Sequence, residues 1–236
     1  VIEECLAGEE VSILAFCDGK HFVLLETAQD HKRIFDDDLG PNTGGMGAYS
    51  PTSLVDAELM KKIDTRIIDP TLRGMKRRET PFKGILYVGL MLTADGPLVL
   101  EYNVRFGDPE VQAILPRLKN DIVEIMLACC EGKVNQIKLE WDKQYCICVV
   151  MSSGGYPGEY QTGVEITGLE EAAKTSQTLV FHAGTKKEGK KIVTAGGRVL
   201  GVTSLGNSIE QTIERVYEAV EKIHFDHRFF RRDIGS

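Results

Sequence analysis

The chain has 236 residues, of which 42% are hydrophobic and 27% charged, and its net charge is −7. This composition is typical of a globular chain that can bury a core, and the length predicts one large or two modest domains. The acidic balance gives no support to nucleic-acid binding, which needs clustered basic side chains. No apolar stretch reaches the roughly 18–20 residues that cross a bilayer. We expect a cytoplasmic chain that binds neither nucleic acid nor membrane.

The cysteines predict thiols that stay reduced. No two of them form the separated Cys-x-x-Cys pairs that are typical of a zinc site. We expect mostly buried, structural side chains, and a redox or metal-binding role is the alternative. They are Cys5, Cys17, Cys129, Cys130, Cys146 and Cys148.

The first predicted element is a β-hairpin near the start of the chain. Residues 11–17 and 20–27 have a strand-like composition and flank Asp18-Gly19, a dipeptide that favours a tight turn. The chain begins at Val1, without Met and already within a strand-like pattern. We therefore expect it to be part of a longer protein.

A helix and a second hairpin follow. Apolar residues recur at helical spacing over residues 54–75, where we expect Pro70 to kink or split the helix. Residues 85–93 and 98–104 then predict two strands joined by a turn over residues 94–97. Two further helices are predicted over residues 109–118 and 121–130.

The pattern changes after Val134, where short strands bounded by glycine predominate. An amphipathic helix follows Asn207 and Ser208, either of which is suited to be its N-cap. We therefore predict an α+β fold with antiparallel sheets, divided into domains at residues 1–137 and 138–236, the second small and β-rich. The strands of the second domain are predicted over residues 145–151, 163–167, 178–182, 191–194 and 198–204.

Three polar side chains alternate near the end of the second hairpin. Glu101, Asn103 and Arg105 occupy positions i, i+2 and i+4, so a strand would carry them on one face. Carboxylate and amide oxygens suit Mg²⁺, which takes one or two protein ligands together with substrate phosphates. An arginine beyond them suits a phosphoryl oxygen. The alternative is the solvated polar face of an edge strand.

A glycine-rich segment occupies residues 40–47, Gly-Pro-Asn-Thr-Gly-Gly-Met-Gly. Its glycines allow backbone N–H groups to converge into an anion-binding nest, although the segment is neither a Walker loop nor Gly-x-Gly-x-x-Gly. The alternative is a flexible surface loop. The polar residues 29–33 upstream, Gln-Asp-His-Lys-Arg, predict either a solvated turn or a ligand-facing loop.

The opening residues 2–10 carry four carboxylates around a short turn. Carboxylates do not attract phosphate, but they accept hydrogen bonds from an adenine amino group and from ribose hydroxyls. An acidic surface turn is the alternative.

Together these motifs resemble the glycinamide ribonucleotide synthetase (phosphoribosylamine–glycine ligase) family of the ATP-grasp superfamily. The resemblance implies the second half of an ATP-grasp domain, an antiparallel sheet with helices, followed by a small C-terminal α/β domain. It also implies that the N-terminal half of the enzyme is missing from this chain. Further matching segments are residues 105–110, 155–158, 181–185, 196–200 and 232–235.

The resemblance implies ATP-dependent ligation of glycine to 5-phosphoribosylamine through a glycyl phosphate, a step of purine biosynthesis that gives glycinamide ribonucleotide, ADP and phosphate. It implies Mg²⁺ or Mn²⁺ as the metal and ATP as the co-substrate. The alternatives are an inactive ATP-grasp nucleotide-binding module and another ATP-grasp carboxylate–amine ligase. We expect the chain alone to be inactive, because the missing N-terminal half holds parts of the site.

Residue roles follow from the same resemblance. Glu101 and Asn103 hold the metal, and Arg105 faces the transferred phosphate as the catalytic residue. Many ATP-grasp enzymes carry a third metal carboxylate about where Gly89 stands here, so we expect two protein ligands. The nucleotide-side residues are Glu3, Glu4 and Leu6 for adenine and Glu10 for ribose. The substrate-side residues are Asp30, Lys32, Thr43, Gly44, Gly45 and Asp108. Arg198, on a C-terminal strand, is expected to be structural.

Overall fold

The computed structural model describes residues 2–236, which form two compact units. Unit 1 contains residues 2–29 together with Pro51–Gly107 and Leu118–Asp142. Unit 2 contains Asp30–Ser50, Asp108–Arg117 and Lys143–Ser236. The division into domains 1–137 and 138–236 concerns consecutive parts of the sequence rather than compact units, and it stays a prediction.

Helices and antiparallel strands are mixed along the chain. The strands are β1 (Glu9–Asp18), β2 (Phe22–Leu24), β3 (Gln29–Asp30), β4 (Arg33–Phe35), β5 (Leu39–Asn42), β6 (Gly47–Ser50), β7 (Lys83–Thr93), β8 (Gly96–Asn103), β9 (Tyr145–Ser152), β10 (Glu165–Ile166), β11 (Thr178–His182), β12 (Thr185–Glu188), β13 (Lys191–Thr194) and β14 (Arg198–Gly206). The α-helices are α1 (Ala57–Ile63), α2 (Asp69–Arg77), α3 (Glu110–Ile114), α4 (Ile122–Glu131), α5 (Leu169–Ala173) and α6 (Ile209–Lys222).

Unit 1 is built on an antiparallel sheet with the strand order β2-β1-β7-β8. One face of this sheet packs against the helical segment that contains α1 and α2. Each fully buried aliphatic side chain there stabilises the fold by about 1.5–3 kcal/mol. Because strand side chains alternate, the residues between the core positions of β1 lie on the opposite face. The buried core residues are Val11, Ile13, Ala15, Cys17, Ile63, Ile67, Ile68, Leu86, Val88 and Leu90.

Both predicted hairpins are confirmed. The turn of the first is stabilised by hydrogen bonds to a buried carboxylate. Asp18 Oδ1 accepts hydrogen bonds from the backbone N–H groups of Lys20 (2.8 Å) and His21 (2.7 Å). Its Oδ2 accepts from the backbone N–H of Val134 at 3.1 Å. Burial raises the pKa of Asp18, but the hydrogen bonds outweigh it and the pKa is lowered overall. The first turn therefore depends on an ionised aspartate as well as on Gly19.

The helical pattern over residues 54–75 resolves into α1, a π-helical turn at Asp64–Ile68, and α2. Pro70 lies in the first turn of α2, directly after the π-helical turn, and it has no N–H to donate to a carbonyl of that preceding turn. The wide π turn therefore comes just before the proline, and the helical direction continues through it.

Unit 2 contains a five-stranded antiparallel sheet with the order β11-β14-β9-β6-β3 and a small sheet with the order β10-β13-β12. Helix α6 packs on β9 and β14 through Val216, Ala219 and Val220. Of the two N-cap candidates, Ser208 is the cap, since its side chain accepts from Gln211 N–H at 3.2 Å.

The cysteines are free thiols, and Cys5 and Cys130 are exposed. Burial raises the pKa of both Cys17 and Cys148 to about 12. These thiols therefore stay protonated at neutral pH and are poor nucleophiles. The buried cysteines are Cys17, Cys129, Cys146 and Cys148.

Candidate functional site

Glu101 and Asn103 form a side-chain pair near the end of β8, the edge strand of the unit 1 sheet. Asn103 Nδ2 donates a hydrogen bond to Glu101 Oε1 at 3.0 Å. Glu101 is exposed and Asn103 half-buried, so their oxygens are open to solvent. The predicted alternation therefore brings one carboxylate and one amide together at an accessible point.

Gly89 lies directly across from Glu101 on β7, next to a register shift between Gly89 and Leu90. A Cβ atom at Gly89 would lie 3.3 Å from Cγ of Glu101. The glycine therefore leaves room for the glutamate side chain. Within residues 2–236, no group of three or more His, Cys, Asp and Glu side chains could hold a metal ion. The Glu101–Asn103 pair does fit Mg²⁺, which commonly takes one or two protein oxygens and fills its remaining positions with water and phosphate.

Arg105 lies beyond the end of β8, which stops at Asn103. Its exposed side chain donates from Nη1 to the backbone carbonyl of Phe106 at 2.7 Å. The expectation that a single strand carries Glu101, Asn103 and Arg105 on one face therefore holds only for the first two. The chain bends at residues 104 and 105, and the strand alternation ends there.

Glu10 lies on the same face of the sheet as the Glu101–Asn103 pair. Ser12 pairs with Gly89, and Gly89 pairs with Glu101, so these residues form one row across three strands. Side chains in such a row point to the same face, and Glu10 shares that face because it is two residues from Ser12. Of the other nucleotide-side candidates, Glu3 and Glu4 are exposed and Leu6 is half-buried, all three before β1 begins.

The glycine-rich segment contains two short strands and a tight connection between them. Its first residues belong to β5 and its last to β6, which leaves residues 43–46 as the loop. Every backbone N–H group of this loop donates within the protein. The acceptors are Lys32 O for Thr43 (2.7 Å), Tyr156 Oη for Gly44 (3.0 Å), Thr43 Oγ1 for Gly45 (3.0 Å) and His31 O for Met46 (2.8 Å).

The anion-binding nest predicted for this segment is therefore wrong for residues 43–46, because no N–H group is left to converge on an anion. The alternative, a surface loop, fits residues 40–42 and Gly44, which are exposed, but not Gly45 and Met46, which are buried. Sequence alone could not reveal this, because the acceptors at Lys32 and Tyr156 are far from the loop along the chain.

Gly45 is required by its surroundings. Its φ is +110°, and a Cβ atom there would lie 2.4 Å from Pro109 Cδ and 2.7 Å from Asp30 Oδ1. Asp30 is buried, whereas Lys32 is half-buried and its carbonyl also accepts from Thr43 Oγ1 at 2.8 Å. The residues around position 45 are therefore packed too closely for any larger side chain.

Arg198 connects the glycine loop to Asp108. Its Nη1 donates to the carbonyls of Gly44 (2.8 Å) and Asp108 (2.9 Å) and approaches Asp108 Oδ1 at 3.2 Å. Asp108 Oδ1 also accepts from Gln112 Nε2 at 3.0 Å. Arg198 was expected to be structural, and that role stays a prediction; its contacts with Gly44 and Asp108, two candidate substrate-side residues, were not predicted. We call the following set the unit 2 cluster: Asp30, Lys32, Thr43, Gly44, Gly45, Asp108 and Arg198.

Comparison with known proteins gives the family. Residues 1–111 match the family model described as phosphoribosylglycinamide synthetase, ATP-grasp (A) domain, and residues 146–236 match the model for the C domain of the same synthetase. The chain belongs to the phosphoribosylglycinamide synthetase family. The resemblance seen in the motifs is thereby confirmed, as is the α+β class with part of an ATP-grasp domain followed by a C-terminal domain.

Relatives within the phosphoribosylglycinamide synthetase family match the chain over its full length. A phosphoribosylamine–glycine ligase of Rhodopirellula baltica is 52% identical over 237 residues, which cover 100% of this chain and 54% of the relative. One of Caldanaerobacter subterraneus is 47% identical over 236 residues, 100% of this chain and 56% of the relative. The crystal structure of the Thermotoga maritima phosphoribosylamine–glycine ligase superposes with a TM-score of 0.88 at 38% identity, covering 98% of this chain and 56% of that one.

The chain thus spans about half the length of the relatives it matches. Phosphoribosylglycinamide synthetases of the ATP-grasp type are ATP-using ligases, for which a divalent metal ion is expected. Among the helices that the structure describes, none combines the length and apolar character needed to span a membrane.

Proposed function

We propose that the protein of which this chain is a part ligates glycine to 5-phosphoribosylamine, with ATP converted to ADP and phosphate through a glycyl phosphate. The observation that carries this proposal is the exposed Glu101–Asn103 pair, which shares a sheet face with Glu10. It occurs in a chain about half of whose residues are identical to those of phosphoribosylamine–glycine ligases. The product is glycinamide ribonucleotide, a purine precursor, and we place the reaction in the cytoplasm.

On the nucleotide side, Glu101 and Asn103 hold Mg²⁺ or Mn²⁺. A bound metal would supply positive charge that stabilises the ATP phosphates, and phosphoryl transfer depends strongly on such charge stabilisation. Arg105 faces the transferred phosphate, and its turn from the strand end leaves the guanidinium exposed to receive it. Glu10 accepts hydrogen bonds from ribose hydroxyls, and Glu3, Glu4 and Leu6 line the adenine side.

On the substrate side, the members of the unit 2 cluster other than Arg198 border the glycine and phosphoribosylamine sites, and Arg198 braces them. Asp30 and Asp108 suit the amino groups of these substrates, and Lys32 suits a carboxylate or phosphate. The hydrogen bonds of residues 43–46 support a role as a rigid wall, since those groups are already satisfied by protein partners. A preformed wall orients the amine toward the acyl phosphate without an ordering step at binding.

The relatives contain nearly as many residues again as this chain, and we propose that those residues complete the active site. The chain alone is therefore expected to bind Mg²⁺-ATP poorly and to show no turnover.

The test is a phosphate-release assay on the full-length protein, with glycine, phosphoribosylamine, ATP and Mg²⁺ each omitted in turn. Release that needs all four components supports the proposal, and the chain alone serves as the inactive control. Calorimetry of Mg²⁺-ATP binding to both proteins accompanies it. Tight binding at full length with no substrate-dependent release would instead identify a nucleotide-binding module. Release that depends on another acid or amine would identify a different ligase.

A further inference from the structure

Arg231, near the end of the chain, is a buried charge held between two carboxylates. The residue is 1% exposed. Its Nε donates to Asp233 Oδ1 at 2.7 Å, its Nη2 to Asp233 Oδ2 at 2.5 Å, and its Nη1 to Asp38 Oδ1 at 2.6 Å. A guanidinium buried this deeply needs such partners, because its desolvation is otherwise strongly unfavourable.

The same guanidinium also reaches the polar segment around residues 31–33. Arg231 Nη1 donates to the backbone carbonyl of Arg33 at 3.1 Å, and Nη2 approaches His31 Nδ1 at 3.3 Å. A guanidinium can only donate, so a hydrogen bond here requires His31 Nδ1 to accept. Asp38 Oδ1 lies 3.7 Å from the same nitrogen, and the buried Nε2 has no hydrogen-bond partner among the residues that the structure describes. Burial, together with the charge of Arg231, lowers the pKa of His31, which keeps the ring neutral at pH 7.

Further bonds tie the two segments together. Asp233 Oδ2 accepts from the backbone N–H of Asp37 at 2.9 Å, and Asp36 Oδ1 accepts from the backbone N–H of Arg232 at 2.8 Å. Tyr217 Oη, on helix α6, donates to Arg231 O at 2.9 Å. The C-terminal segment is thus anchored to the helix and bonded to residues 31–38 at several points.

The other side of residues 31–33 is bonded to the glycine loop. His31 O accepts from Met46 N–H at 2.8 Å, and Lys32 O accepts from Thr43 N–H at 2.7 Å. The segment that contains Lys32 and adjoins Asp30 is therefore held between the loop and Arg231. Strand pairing also holds this segment, since β3 pairs with β6, β4 pairs with β5, and His31 N–H donates to Gly47 O at 2.9 Å.

We propose that Arg231 is a positioning residue, which holds residues 30–33 so that Asp30 and Lys32 meet the glycine and phosphoribosylamine substrates in a fixed geometry. This inference rests on the proposed ligase function. Arg231 itself does not touch the reacting atoms. It acts through its bonds to Arg33 and His31 on one side and to Asp233 and Asp38 on the other.

The test compares R231K with R228K in the full-length enzyme. Arg228 is a matched control, since it lies in the same segment but pairs with Glu221 at 2.7 Å and makes no bond to residues 31–38. Lysine keeps the charge but loses the fork that contacts several partners at once. We expect R231K to raise the KM for glycine or phosphoribosylamine about tenfold while the KM for ATP stays within about twofold. R228K should change none of them.

A merely structural role would lower the fraction of folded enzyme and hence the apparent kcat, without moving any KM. Should R231K fail to fold, D38N replaces it, because the Asp38 side chain is 65% exposed and its loss removes only one partner of Arg231. D38N should raise the KM for glycine or phosphoribosylamine, as R231K does, but by a smaller factor. Equal rises for all three substrates, or no rise in the variant that folds, would overturn the proposal.

A second readout separates this inference from the proposed function. Nitrogen chemical shifts of labelled His31 report which ring nitrogen carries the proton. The parent and R228K should show the Nε2–H form, and R231K should show a changed tautomer balance. If the parent releases no phosphate with these substrates, the ligase proposal fails. Unchanged His31 signals in R231K would separately overturn the positioning role of Arg231.

Discussion

The two groups of candidate residues differ in how many of their hydrogen-bonding groups already have partners within the protein. Glu101 in unit 1 is exposed, and its described hydrogen bond is to the neighbouring Asn103. In unit 2, the N–H groups of residues 43–46 all have protein acceptors. Under the proposed function, a metal ion at the first group would compete mainly with water, whereas a ligand at the second would meet residues that are already fixed. Substitutions in the first group should therefore mainly lower activity, and substitutions in the second group should mainly lower stability.

The largest expected effect is on activity, from E101Q in the full-length enzyme. Loss of a metal-binding carboxylate should remove about 3 kcal/mol of transition-state stabilisation, roughly a hundredfold in the Mg²⁺-dependent rate. Melting temperature should be unchanged, since the side chain is exposed. The control is D95N, in the turn of the same hairpin. Activity within about threefold of the parent would remove Glu101 from the metal site.

The next effect is on stability, from G45A. A methyl group at this φ would collide with Pro109 and Asp30, so we expect a loss of about 3 kcal/mol in the free energy of unfolding. G163A is the control, because Gly163 also has a positive φ of +82° but no atom within 4 Å of its Cβ position. That change should remove only about 1 kcal/mol. Calorimetric melting of the full-length protein checks both, and equal losses would contradict a packed loop.

A smaller loss is expected from R198M. The substitution removes the donors to Gly44 and Asp108, and we expect about 2 kcal/mol of destabilisation. K191M is the comparison, since Lys191 forms an exposed ion pair with Glu165 at 2.6 Å and should contribute less than about 0.5 kcal/mol. The same melting measurement applies. Similar small losses for both variants would mean that Arg198 does not brace the loop.

The smallest expected effect is a pH-dependent change in stability at Asp18 in unit 1. Unlike Glu101, this carboxylate accepts several hydrogen bonds from backbone N–H groups. Its pKa is lowered in the folded state, so its ionised form stabilises the fold above its ordinary pKa. That contribution is lost as the pH falls below about 4 toward the lowered value. The parent should therefore melt above D18N at pH 7, and the difference should shrink at pH 3. A difference that is constant across this range would contradict the ionised turn.

Local patterns predicted the features that depend on neighbours in sequence. The alternation of Glu101 and Asn103 and the Asp18-Gly19 turn both needed only the geometry of one strand or hairpin. The glycine loop was misjudged because its acceptors come from His31, Lys32 and Tyr156. Arg198 was not foreseen beside Asp108 for the same reason: ninety residues separate the two partners. Strand β6 was missed because Gly-Ala-Tyr-Ser lacks a strand pattern, and its pairing with β9 makes it a strand.

Each unit is built from several separate segments of the chain, which affects folding during synthesis and the possibility of expressing either unit alone. The backbone passes from one unit to the other five times. Unit 2 takes β6 (Gly47–Ser50) from the first quarter of the sequence, and β9 pairs with it. During synthesis, the five-stranded sheet of unit 2 therefore cannot be completed until β14 has left the ribosome, although β3 and β6 emerge early. Cutting the chain at residue 137 would leave β9 with an unpaired edge, so neither unit can be exchanged between proteins as a single continuous module.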